Sequence, residues 1–147
     1  MKLAFNAVRV SSKAGSGFDT FIINFVNEFA QYVYSNKLNI DFDVYTLYPQ
    51  HFPSVKKENI KQVKIPFMKQ SSGKTNYFAT NKNLNITHSL IYSFTRTLIN
   101  FLADYFRMFW TQIIFPFYAK KYDLLISLTH LDSNFFNLSK QIVFVHD

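Results

Sequence analysis

Three short stretches of this sequence hold residue types that can do chemistry. Gly15-Ser16-Gly17 joins a hydroxyl to two residues without side-chain bulk. A turn of this kind ahead of a helix can aim backbone N–H groups at a phosphate, helped by the positive helix start. Thr129-His130 and His146-Asp147 each supply an imidazole, which near neutral pH donates a hydrogen bond or exchanges a proton. Taken alone, a short glycine loop also reads as a plain turn.

Other candidate chemistries fail on spacing. The dinucleotide fingerprint needs a third glycine where Thr20 stands, and an acid after the second strand where Tyr48-Pro49 stands. Ser72-Gly73-Lys74-Thr75 imitates the end of a P-loop, but the earlier glycine it requires falls on Met68. His51, His88, His130 and His146 show no paired spacing such as His-x-x-x-His, so no metal site is expected. The elbow Gly-x-Ser-x-Gly of serine hydrolases is absent as well.

Each surviving stretch needs an element to position it. Lys2 to Ala7 alternates and then runs apolar, as an opening strand does. After the glycine loop, Asp19 or Thr20 is placed to cap a helix whose apolar face is Ile22, Phe25, Val26, Phe29, Ala30 and Val33. Residues 41–48 alternate as a second strand ended by Pro49, and residues 62–67 form a short third. Residues 69–88 are polar and predict a long loop. Residues 89 to about 115 keep a helical period through Leu90, Phe94, Leu98, Leu102, Phe106 and Phe109. Arg96, Asp104 and Arg107 interrupt that helix, which favours a buried or interfacial helix over a membrane span. Residues 123–127 and 141–145 read as a fourth and a fifth strand. The order predicts an α/β class: a Rossmann-like, mainly parallel sheet with flanking helices. All three candidate stretches then fall beyond carboxyl ends of strands, where open parallel sheets bind ligands.

Composition sets the outer bounds. A chain of 147 residues, 48% apolar, suits one domain with a sizeable core. The absence of cysteine excludes disulfides and thiolate metal ligation and is compatible with a reducing compartment. Met1 to Asn6 is too short an apolar run for a signal peptide, so the sequons at Asn85 and Asn137 read as chance. The net charge is +7, and the segment from Lys56 to Lys82 holds seven lysines against Glu58 alone. Such a segment favours anionic partners (phospholipid head groups, nucleotides or nucleic acid), or is a solvated loop. The many Phe and Tyr residues fit a coding bias, and no binding site is read from them.

The ordered set of pieces resembles a family. Met1-Lys2-Leu3-Ala4-Phe5-Asn6-Ala7, Gly15-Ser16-Gly17-Phe18 and Ile22-Ile23-Asn24 look like the start of group 1 (family four) glycosyltransferases. Trp110-Thr111-Gln112 with Pro116, then Tyr122-Asp123-Leu124-Leu125-Ile126-Ser127, then Ile142-Val143-Phe144-Val145-His146-Asp147, are similar to that family's first domain in order and spacing. Residues 49–88 carry no matching motif. The resemblance implies a GT-B architecture, in which two Rossmann-like domains face each other across a cleft. It implies that residues 1–147 are the amino-terminal, acceptor-side domain, truncated, with the donor-binding carboxy-terminal half missing from this chain and supplied in cis or in trans. It further implies that Gly15, Ser16 and Gly17 lie against the donor phosphates, that His146 reaches the transferred sugar as the catalytic residue, and that His130 and Asp147 are cleft or acceptor contacts. The donor would be a nucleotide sugar and the acceptor a glycan or lipid-linked molecule. The anomeric configuration would be retained without a metal or other cofactor, and this fragment alone would be inactive. The implied setting is cytoplasmic, with peripheral membrane contact through Lys56–Lys82. The alternative left by the residues themselves is a non-catalytic basic module that binds anionic membrane or nucleic acid.

Overall fold

The fold was described from a computed structural model covering residues 1–66, 86–128 and 140–144, with side chains described from residue 94 onward in the second long helix. The strands β1 (Lys2–Ala7), β2 (Asp41–Thr46), β3 (Ile60–Gln62), β4 (Leu124–Ser127) and β5 (Lys140–Val143) form one sheet in the order β3-β2-β1-β4-β5. Every pairing is parallel. The chain is therefore an α/β protein with a Rossmann-like sheet, as its pattern predicts. Strand order reverses direction between β1 and β4, and a crevice opens beyond the carboxyl ends of strands at such a switch point.

Helix α1 (Gly17–Ser35) connects β1 to β2 on one face of the sheet. Ile22, Val26, Ala30 and Val33 recur every three or four residues and are buried against Leu3, Phe5, Phe42 and Val44. Each large aliphatic side chain so buried is worth about 1.5–3 kcal/mol. Phe5 is the centre of this layer, with edge-on contacts to Phe29 at 5.0 Å, Phe42 at 6.0 Å and Phe25 at 6.2 Å between ring centroids. The helix ends in a Schellman motif: Leu38 N–H donates to Val33 O and Lys37 N–H to Tyr34 O. Lys37 takes the left-handed conformation there (φ 49°), a position glycine usually fills.

The other face carries α2 (Ile86–Phe109), a π-helical segment (Trp110–Ile114) and α3 (Phe115–Ala119). Pro116 explains the change of helix type. It has no N–H to donate, and its ring crowds the preceding turn. The turn widens, and Phe115 N–H bonds back to Trp110 O, five residues earlier. Phe115 and Ala119 are fully buried on Ala4, Tyr45 and Leu125. Trp110 stacks on Phe115 at 5.2 Å and faces Tyr45 at 6.0 Å, so its role in the described fold is packing.

Several boundaries differ from the sequence expectation. The cap of α1 is Ser16, whose Oγ accepts the Asp19 N–H at 3.0 Å; neither Asp19 nor Thr20 takes that place. Strand β3 covers residues 60–62, where residues 62–67 were expected. Val63 N–H makes its ladder bond to Thr46 O, where β2 ends, and no strand remains beyond it to pair with. Strand β2 itself stops at Thr46, two residues short of expectation. The long helix starts three residues earlier than expected and its helical path runs on past Pro116.

Toward the amino-terminal rim a polar cluster ties β2 and β3 to the turn that leads into β4. Tyr122 donates to Asp43 Oδ2 and lies 3.0 Å from the Tyr45 hydroxyl, while Lys61 pairs with Asp43 Oδ1 at 3.5 Å. Burial, and then the hydrogen bond to Asp43, raise the Tyr122 hydroxyl well above the ordinary tyrosine value. A shallow cleft of about 220 Å³ beside it is lined by Lys2, Asp41, Asp43 and Lys121, at the rim opposite the glycine loop.

Candidate functional site

Strands β1 and β2 leave the sheet by the same device. Asn6 is fully buried, and its Oδ1 accepts the Val8 N–H two residues on, at 3.3 Å. Thr46, also fully buried, accepts the Tyr48 N–H through Oγ1 at 3.1 Å. Such i to i+2 bonds turn the backbone out of a strand without orphaning its donors. Buried Ser127, opposite Asn6 in the ladder, accepts Gln141 Nε2 at 2.8 Å. The carboxyl rim is thus floored by three buried polar side chains, which the sequence pattern did not single out.

The loop leaving β1 is clamped before it reaches the glycines. Ser11 donates its N–H and Oγ–H to the Asp19 carboxylate at 3.2 and 2.6 Å. Its carbonyl lies 3.2 Å from His51 Nε2, on the single turn Pro49–His51 that follows β2. Asn27 of α1 fixes that turn by donating to His51 O at 3.0 Å and accepting from Ser54 N–H at 3.1 Å. Asp19 is 4% exposed. Burial works to raise its pKa, but hydrogen bonds from Ser11 and Ser16 outweigh it and hold the carboxyl below the ordinary value.

Gly15, Ser16 and Gly17 sit beyond this clamp, at the carboxyl rim and the amino end of α1, as expected. Ser16 is spent on capping. Gly17 heads the helix, so its N–H has no carbonyl to meet within it. Neither glycine has positive φ, and a β-carbon on Gly17 would have open space around it. The strained residue of the loop is Ala14, at φ 48°. Nothing within the described chain therefore requires glycine at position 17, and the backbone there stays open to close approach from outside. The Asp19 carboxylate takes up part of the positive field of the helix start. Arg9 offsets it: its guanidinium lies over the Phe18 ring, 5.8 Å from the centroid, and makes no ion pair among the described residues. Arg9 and His51 are the rim residues that sequence reasoning missed. An arginine two residues after an opening strand, before a glycine turn, is the signal that was there to find.

His130, His146, Asp147, Thr129 and the P-loop imitation at 72–75 lie outside the described residues. The described residue nearest in sequence to His146 is Phe144, whose N–H donates to Ser127 O at 3.0 Å. Its ring meets Phe25 at 5.4 Å and Phe21 at 6.1 Å. The end of β5 therefore leans across β4 onto the first turns of α1, the helix that Gly17 heads. Of the lysine-rich segment, the described part is partly engaged: Lys61 pairs with Asp43, and Lys56 lies over the Tyr34 ring at 5.0 Å. Lys69, Lys74 and Lys82 lie outside the described residues. Among the described residues no group of three metal-ligating side chains occurs, and no helix is long and apolar enough to cross a membrane. Comparison of the chain with family models, with curated proteins and with solved structures gives no match.

Proposed function

We propose that this chain is one wall of a sugar-transferring cleft of the GT-B kind. In this reading the rim at Gly15–Gly17 faces the phosphates of a nucleotide sugar, and a second Rossmann-like domain, in cis or in trans, supplies the opposite wall and most of the donor contacts. The observation that carries the reading is the convergence at one rim of a helix-heading Gly17, a guanidinium at Arg9 and the end of β5. A departing nucleoside diphosphate needs N–H donors and a cation where charge develops. A glycan or lipid-linked acceptor would be held against the same rim. His146 takes the role of reaching the transferred sugar, with His130 and Asp147 as cleft contacts. Retention of configuration and metal-independent transfer belong to the same proposal, as does a cytoplasmic setting with peripheral membrane contact.

The test is a titration of the ¹⁵N-labelled chain with uridine, guanosine and adenosine diphosphate sugars and, separately, with NAD. The reading expects weak, saturable shifts at Gly17, Phe18 and Arg9 with a diphosphate sugar, lost in Arg9→Ala. Shifts confined to lysines 56–64, or preference for NAD, would remove it.

A further inference from the structure

The cleft at the amino rim opens where α3 stops covering the sheet. The helix ends at Ala119, and the Tyr122 N–H closes the turn on Ala119 O at 3.0 Å before β4 begins. Lys2 stands opposite Asp41 in the parallel ladder, and Asp41, Asp43 and Tyr45 alternate onto the face that carries α3. The space left uncovered is about 220 Å³, and its polar lining is Lys2, Asp41, Asp43, Asn59, Lys121 and Tyr122. Part of that lining is already satisfied. Asp43 accepts from Tyr122 and pairs with Lys61 at 3.5 Å. Asp123, beside the cleft, accepts the Lys2 backbone N–H at 2.7 Å. Three charges remain. The Lys2 ammonium, the Lys121 ammonium and the Asp41 carboxylate form no ion pair with one another or with any other described residue. The Lys121 ammonium rests over the Tyr122 ring, 5.0 Å from its centroid. Asn59 spends its Nδ2–H on Phe42 O, which leaves Oδ1 as an acceptor without a partner among the described residues.

We infer that this cleft binds a small acidic amino acid, a molecule with two carboxylates and one ammonium. The ligand's carboxylates meet Lys2 and Lys121, and its ammonium meets Asp41 and the Asn59 Oδ1. Charge carries the choice: two unpaired cations and one unpaired anion around one small space are the complement of two anions and one cation. A plain dicarboxylate would set a negative group against Asp41. A neutral amino acid would answer only one of the two lysines, and a cation neither. Lys2, Asp41 and Lys121 are all exposed, so each contact is screened by water and contributes a factor of about five or less to affinity. The site lies at the rim opposite Gly15–Gly17 and does not need the sugar-transfer reading; either can fail alone.

The experiment titrates the ¹⁵N-labelled full chain with L-glutamate, L-glutamine and glutarate at one ionic strength and follows the amide resonances. Glutamate is expected to give saturable shifts at Lys2, Asp41, Asn59 and Lys121, with a dissociation constant on the order of 1 mM. Glutamine, which lacks one carboxylate, and glutarate, which lacks the ammonium, should each bind about fivefold more weakly. Asp41→Asn should weaken glutamate by about the same factor while leaving glutarate as tight or tighter, a split that general damage to the fold would not produce. Lys121→Gln should weaken both. The comparison of the three ligands on the wild-type chain decides the question even where a variant does not fold. Shifts that do not saturate with glutamate, equal affinity for all three ligands, or an Asp41→Asn chain that loses glutarate as readily as glutamate would each overturn the inference.

Discussion

The two helical layers meet the sheet on different terms. Helix α1 turns one stripe inward, where Phe5, Phe42 and Val44 receive it. The α2–α3 layer buries Ala103, Phe115 and Ala119 but leaves Phe94, Phe101, Met108 and Phe117 in solvent. Both helices are rich in phenylalanine, so composition does not separate them. The difference lies in whether a strand stands opposite, and it assigns most of the core's stability to the first layer.

Substitution sharpens that contrast. Phe5→Ala, at the centre of the α1 layer, is expected to cost about 3–5 kcal/mol in urea unfolding. Phe101→Ser on α2 should change stability by no more than about 0.5 kcal/mol. Equal costs would mean that α2 is covered. Tyr122→Phe deletes the donor to Asp43 and the contact with Tyr45, and an expected cost of about 1–3 kcal/mol can be read from thermal unfolding.

The Asp19 clamp makes a pH prediction. Its carboxyl is held below the ordinary value, so its contribution is complete above the unfolded value of about 4 and is lost as pH falls through the folded value. Stability measured from pH 6 down to pH 2 should fall less steeply in Asp19→Asn than in wild type. Parallel profiles would show that the Ser11 clamp is energetically idle. One substitution is expected to stabilise: Lys37→Gly relieves a left-handed residue at the end of α1 and should add about 1 kcal/mol, visible as a higher Tm.

Much of the scaffold was legible from pattern alone. Helix α1 announces itself through Ile22, Val26, Ala30 and Val33, and β4 through an unbroken apolar run, because both are buried and periodic. Ends were less legible, since they depend on partners. Residue 63 ends β3's pairing only because β2 stops at Thr46, and Pro116 lies inside a continuing helical path only because the π turn frees it from its missing bond. The glycine turn could be placed at the rim from its position after β1. Arg9 carries the same positional signal, two residues after β1, but His51 and the buried Asn6–Ser127 floor could not be placed, because their significance comes from neighbours distant in sequence.

The account rests on one rim holding both the head of α1 and the end of β5. The chain has no cysteine, and a side chain at Gly17 meets open space, so a doubly spin-labelled Gly17→Cys/His146→Cys chain can be measured by electron paramagnetic resonance. The account predicts a separation below about 20 Å, shorter than the length of a six-residue strand. A separation of about 30 Å or more, comparable to the diameter of a domain this size, would place the two residues at opposite ends and contradict it.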